Sequence, residues 1–328
     1  MTNLEVRTEN FDSVGRDWGR LLSEVPDLSP FATPEWQQTW WNMFGGDADL
    51  NLLSVVQDGN VKGLAPLMRR HNEVSFIGES DLVDYHHFLH HDIDDATFYN
   101  TIFGYLFTRE SLDSVRLTSV PEWCAAYTAI PVAARASGLQ VEETFEDVSP
   151  GIELPGAWED YVSGLSKKDR HELRRKLRRL ERSAEVNHVE YSTVHDITAN
   201  LDDFVSLHRM STPDKAEFMT DQREEFFRAA VINLAKIGSS RLYFLEIDGK
   251  RAATSICFVH GDNQLVYNSG YDPEQRALSV GLLNHALTIK LAIENGVRYF
   301  DFLRGDESYK YHLGAQDRAL YNLVVTRV

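Results

Sequence analysis

A chain of 328 residues is too long for one ordinary core and long enough for two domains. Hydrophobic residues make up 43% and charged residues 25%, as in packed globular proteins, and the net charge of −17 argues against general nucleic-acid binding. No apolar run approaches the roughly 18 residues of a membrane span. The first residues lack the basic and apolar regions of a secretory signal, and Cys124 and Cys257 give neither a disulfide framework nor a metal spacing, so a reducing cytoplasm is expected.

The first half opens with a predicted strand at 4–7 and a helix near 12–23. In FATPEWQQTWWNMFGG, Thr33 is an N-cap, Pro34 suits the first helical turn and Gly45 stops the helix. Trp36, Trp40 and Phe44 share one face and are expected in the core. Two apolar runs flank Asp58-Gly59-Asn60, a hairpin signal. Further strand and helix signals follow at 74–77, 97–108, 115–120 and 123–137. Pro150, Gly151, Pro155 and Gly156 cluster at the expected boundary, which divides the chain into domains 1–150 and 151–328.

The second domain begins with a basic helix at 166–183. Nine basic and three acidic residues fall between Lys167 and Arg182, with only a narrow stripe of Leu173, Leu177 and Leu180. Such a helix can bind an anionic acceptor, bind an RNA backbone, or pair with the acidic remainder of the chain. A helix at 221–236 precedes a strand, Asp248-Gly249 and a second strand. The same order surrounds Asp58-Gly59, which suggests two copies of one α/β unit.

The stretch YNSGYDPEQRALSVGLLNHALTIKLAIENGVRYFDFLRGDESYKYHLGA predicts a strand, a small-residue loop at 272–281, a long helix to about Glu294 and a strand at 297–302. Loop amides and a helix N-terminus of this kind suit a phosphate. Asp301, Arg304, Asp306, Glu307, Tyr309 and Lys310 follow the last strand, where open α/β sheets bind ligands. One carboxylate there could serve as a general base, or the segment could be an ion-paired turn closing the sheet. Asp84, Tyr85, His86, His87, His90 and His91 form a second polar cluster. Its spacing lacks the acidic or cysteine partners of a metal site, so no metal is expected, and a role lining a substrate cleft is the functional reading.

Arg276-Ala-Leu-Ser279-Val-Gly281 resembles the pyrophosphate loop of GNAT acyltransferases, with Ser279 where that family usually has glycine. The basic helix, LHRMSTPDKAEFM, GYDPEQRALSVGLL and DFLRGDESYKYHLGA resemble the acetyltransferase-type domain of cellulose-biosynthesis (CelD-like) proteins, related to the FemABX peptidyltransferases. FATPEWQQTWWNMFGG and GLAPLMRR resemble the front half of such proteins.

The resemblance implies a mixed α/β fold of two tandem GNAT-like domains with a cleft between them. It implies an acyl-CoA-dependent N-acyltransferase, with acetyl-CoA or another acyl-CoA as co-substrate and a small-molecule or saccharide acceptor. Arg276, Leu278, Ser279, Val280 and Gly281 would hold the pyrophosphate, and backbone amides at 265–270 would polarise the thioester. Asp301, Glu307, Tyr309 and Lys310 would carry the chemistry, Tyr309 as the acid for the leaving thiolate. Asp84, Tyr85, His86, Arg304 and Asp306 would meet the acceptor. An aminoacyl-tRNA-dependent peptidyltransferase and a non-catalytic module of surface-polysaccharide assembly are the alternatives.

Overall fold

The structure, a computed structural model, describes residues 4–25, 28–78, 82–109 and 112–328. The first stretch of chain forms strands β1 (Leu4–Glu9), β2 (Asp49–Gln57), β3 (Asn60–Arg70), β4 (Glu73–Phe76), β5 (Leu89–His90), β6 (Ser114–Pro121) and β7 (Leu139–Val148). The second forms β8 (Gly151–Glu153), β9 (Val186–Tyr191), β10 (Ser240–Ile247), β11 (Lys250–His260), β12 (Asn263–Tyr271) and β13 (Tyr299–Asp301). A last strand, β14, spans Ala319–Arg327.

The chain divides into two compact units, Met1–Val148 with Arg318–Val328, and Ser149–Asp317. The first holds a sheet in the order β1-β2-β3-β4-β6-β14-β7, with β5 beside β3. The second holds a sheet in the order β8-β13-β12-β11-β10-β9. Each sheet is antiparallel except for one parallel pair, β4 with β6 and β12 with β13. Helix Asp95–Arg109 precedes β6, and helix Val280–Glu294 joins β12 to β13.

Residues 318–328 were expected in the second domain. They return to the first unit instead, where β14 slots between β6 and β7. The matching place beside β13 is taken by β8, which follows directly after β7. An alternating strand carries no mark of which sheet it will complete, so the sequence pattern alone could not show this exchange.

The paired Asp-Gly signals are realised alike. Asp58 and Gly59 have φ of 50° and 83°, and Asp248 and Gly249 have 50° and 74°. Two successive left-handed residues match the twist of the flanking strands. The tryptophan helix, Pro34–Phe44, starts at Thr33, whose hydroxyl accepts from the Trp36 amide at 3.3 Å. Trp36 and Trp40 are buried, as their spacing predicted, and Trp41 is half-buried. In the second unit, Val280, Leu283, Ala286, Ile289 and Ala292 of helix Val280–Glu294 pack with Tyr243, Leu245, Cys257 and Phe300 of the sheet. Among the described residues no helix is long and apolar enough to cross a membrane.

Candidate active site

The parallel pair β12–β13 is short. Only residues 263–265 lie opposite 299–301. Beyond Asp301 the chain leaves the sheet through Leu303, a left-handed residue at φ 58°. A bulge at Tyr267 also kinks β12, because Ile256 faces Asn268 while Cys257 faces Val266. The β12–β13 ladder therefore ends at Leu265, and residues 266–271 keep one edge without a partner strand among the described residues. A cavity of about 360 Å³ opens along this part of β12, lined by Ser269, Gly270 and Tyr271 among others.

One wall is the start of helix Val280–Glu294. A 3-10 turn, Pro273–Leu278, delivers the chain to Ser279 at φ 60° and ψ 37°. A left-handed residue other than glycine costs about 1 kcal/mol. Lys176 of the basic helix helps to hold it, donating to Ser279 Oγ at 2.7 Å. Ser279 makes no side-chain capping bond, so the first helical amides have no partner within the helix or its cap. Gly281 lets the chain come close here, because a β-carbon would stand 3.3 Å from the Tyr271 ring. Ser279, Val280 and Gly281 all line the cavity, with Arg276 and Lys176 beside them. Bare amides, a helix dipole and two cations fit a phosphate or pyrophosphate.

Three cations, Lys176, Lys215 and Arg276, line the cavity, and no carboxylate does. That is a local reversal of charge in a chain of net charge −17. Burial pulls the Lys215 ammonium down to about 8, opposed by the charge of Glu307. His285 is buried, and burial, then Lys215 and Lys310, push it down to about 3. It is therefore neutral, and among the described residues its Nδ1 has no hydrogen-bond partner. The Tyr309 ring stacks on His285 with centroids 5.1 Å apart. Burial, then the charge of Glu307, raise the Tyr309 phenol well above its usual range, so it stays protonated and can act as a donor.

Residues 167–311, which contain this whole site, match the family profile of the acetyltransferase (GNAT) domain. This stretch is a GNAT acetyltransferase domain. The chain thus carries the domain of an acyltransferase. No curated protein matches the sequence. Among solved structures the chain is similar to FemX, at 10% identity, a TM-score of 0.67 and coverage of 97% of this chain and 96% of that one. It is similar to the C-terminal DUF2156 domain of a protein assigned as a lysylphosphatidylglycerol synthetase from Agrobacterium fabrum, at 13% identity and a TM-score of 0.58, covering 95% and 92%. It is also similar to a tandem GNAT protein of the clavulanic acid pathway, at 14% identity and a TM-score of 0.50, covering 98% of each. At these identities the likeness concerns the fold, and it agrees with two mixed α/β units in tandem.

Within the GNAT domain the expected site residues separate. Arg276, Ser279, Val280, Gly281 and Tyr309 line the cavity, and Leu278 does not. Asp301 lies outside the lining and is 3% exposed. Its Oδ1 accepts from Ser149 Oγ at 3.2 Å and from the Leu303 amide at 2.8 Å, which ties the turn after β13 to the start of the unit. Lys310 is 1% exposed and also outside the lining. Its ammonium donates to the carbonyls of Leu303, Arg304 and Gly305 at 2.9, 2.8 and 2.8 Å, and pairs with Glu307 Oε2 at 2.8 Å. A lysine with every proton engaged holds a loop rather than a substrate. Glu307 and Asp306 are exposed and Arg304 half-exposed, none of them in the lining.

Asp84, Tyr85 and His86 belong to the first unit. Tyr85 and His86 are each 3% exposed. Tyr85 packs edge-on against Phe31 and Trp123, and His86 stacks on Phe76 at 4.9 Å with its Nδ1 3.0 Å from the Thr118 carbonyl. His87 bonds to Ser29 Oγ at 3.0 Å. Tyr85, His86 and His87 are thus buried within the first unit. Among the described residues no group of three or more His, Cys, Asp or Glu could hold a metal ion. Lys215 and His285 escaped the sequence reading as site residues. The one signal for His285 was a polar Asn284-His285 pair set one turn beyond Gly281, in a helix whose first half is otherwise apolar.

Proposed function

We propose that the second unit transfers an acyl group from acyl-CoA to an amine. The observation that carries this reading is a single cavity bringing together the bare amides at 280–282, the cations Lys176 and Arg276, and the protonated phenol of Tyr309. The amides, Lys176 and Arg276 would hold the donor pyrophosphate, and the unpaired edge of β12 would take the pantetheine amides. The thioester supplies an activated acyl carbon. The amine nitrogen attacks that carbon, a C–N bond forms, the C–S bond breaks, and Tyr309 protonates the leaving sulfur. The surplus proton of the nitrogen restores the phenol, so the protons balance.

A second reading, an aminoacyl-tRNA donor, is favoured by one feature. Arg174, Arg175, Arg178, Arg179 and Arg182 are exposed along the basic helix that also carries Lys176. Arg175 is paired with Glu172 at 2.7 Å, whereas Arg178, Arg179 and Arg182 have no ion pair among the described residues. Calorimetry decides between the two. The leading reading predicts saturable binding of acetyl-CoA that is indifferent to Arg178→Glu/Arg179→Glu. Binding of charged tRNA that this double variant abolishes, with none of acetyl-CoA, would establish the second reading instead.

A further inference from the structure

The cavity's cations stand in two places. Lys176 and Arg276 sit at the helix N-terminus. Lys215 comes from a different wall, the short helix Pro213–Phe218. That helix follows Val194–Ser211, which lies directly on β12 at Gly270, where a β-carbon would be 2.4 Å from the His208 backbone nitrogen. This close crossing brings Lys215 over the open edge of β12, where its ammonium donates to the Ser269 carbonyl and lies 3.5 Å from Ser269 Oγ. Ser269 is two residues before Tyr271, the residue whose ring meets Gly281, so about 7 Å of strand separate the contact made by Lys215 from the contact made by Gly281.

The protein does not saturate the Lys215 ammonium among the described residues. Its three donors meet two acceptors on a single residue, and among the described residues no carboxylate is within 4 Å of it. His285 Nδ1, buried in the same cavity wall, has no hydrogen-bond partner among the described residues. The Tyr309 ring, stacked on His285, lines the same cavity. A cation with no carboxylate within 4 Å, an unpaired ring nitrogen and a proton donor thus line the same cavity. A desolvated ammonium gains most from an anion brought to it, because the pair forms where water competes least.

We propose that Lys215 anchors an anionic group, a carboxylate or a phosphate, on the acceptor. The acceptor class is then an amine bearing an acid near its reactive nitrogen, an amino acid or an amino-sugar phosphate, rather than a neutral amine. This assignment rests on the acyl-transfer reading for the acceptor's role, but the anion site itself can be measured without it.

The test uses the full chain labelled with ¹³C at the lysine ε-carbons, titrated with inorganic phosphate and separately with acetate, with and without saturating CoA. The Lys215 resonance should shift saturably with at least one of the two anions, and the effective anion names the acid. Lys215→Met should weaken that anion's binding at least tenfold by calorimetry. Transfer from acetyl-CoA should favour amino acids or glucosamine 6-phosphate over the matching amides or glucosamine by at least tenfold, a preference lost in the variant. If neither anion moves Lys215, or Lys215→Met binds them as the wild type does, the assignment is overturned. Should the variant fail to fold, the wild-type titration decides alone. Failure of acetyl-CoA to bind would refute the donor reading while leaving the Lys215 titration to stand or fall separately.

Discussion

Replacing Lys310 with methionine separates a structural lysine from a catalytic one. The ammonium is buried and donates to three consecutive carbonyls besides pairing with Glu307. It closes a turn that contains left-handed Leu303 at φ 58° and Gly305 at φ 106°. Methionine keeps the length and the apolar stem but removes every donor. The Arg304 and Gly305 carbonyls and the Glu307 carboxylate can turn to water, because their residues are partly or fully exposed. Leu303 is 3% exposed, so its carbonyl is stranded at a cost of about 1–3 kcal/mol. The lost charge-assisted bonds to Arg304 and Gly305 add about 1.5–3 kcal/mol, so the total loss should be about 3–6 kcal/mol. At about 1.4 kcal/mol per decade, this corresponds to a fall in amide protection of two to four decades. Hydrogen exchange followed by mass spectrometry, on peptides spanning 299–313, reads that loss directly. Protection unchanged within one decade, together with turnover reduced a hundredfold, would refute the structural assignment and make Lys310 a catalytic group.

Other outcomes follow from the same geometry. Gly281→Asp brings a carboxylate to the bare helix amides and presses on Tyr271, so acetyl-CoA affinity by calorimetry should fall at least tenfold; unchanged affinity would remove this loop from donor binding. Tyr309→Phe keeps the stack on His285 but loses the proton donor, so kcat should drop by about 10²-fold with donor Kd nearly constant, and full activity would exclude Tyr309 as the acid. Burial, then the charge of Lys215, push His208 down to about 4, while burial pushes His285 to about 3. The unfolded chain binds these protons near pH 6.5 and the folded protein does not, so their contribution is complete above pH 6.5 and is lost as pH falls. Urea midpoints should therefore decline from pH 6.5 to 5, each histidine adding at most about 1.4 kcal/mol per pH unit, and His208→Leu should flatten the slope. A midpoint independent of pH across that window would contradict the neutral burial of these rings.

Features encoded in a few consecutive residues were readable in the sequence. Asp58-Gly59 and Asp248-Gly249 announce hairpins because their backbone conformation is local. The strand, small-residue turn and helix between Tyr271 and Glu294, proposed here to hold a pyrophosphate, are readable for the same reason, since they follow one another directly. Ser279 tolerates the left-handed position that glycine would take without strain, and Lys176 bonds to its hydroxyl from 103 residues away, a contact with no local trace. Lys215 was hidden because the six-residue helix Pro213–Phe218 has no buried face to generate a period; its place depends on the crossing over Gly270. Asp301 and Lys310 were assigned to chemistry because polar residues in a turn look alike whether they face a substrate or hold the turn together. Burial and hydrogen-bond partners separate the two cases. His86 and His87 illustrate the same ambiguity, since their spacing did not reveal that they would be buried, with ring nitrogens bonded to Thr118 and Ser29.

The central claim is that the cavity beside β12 binds an acyl-CoA through the amides at the start of helix Val280–Glu294. A crystal structure of the protein soaked with acetyl-CoA tests it most directly. The account predicts pyrophosphate oxygens on the amides of residues 280–282, with Lys176 and Arg276 alongside and the thioester near the Tyr309 phenol. A pyrophosphate bound elsewhere, or an empty loop at saturating acetyl-CoA, would contradict it.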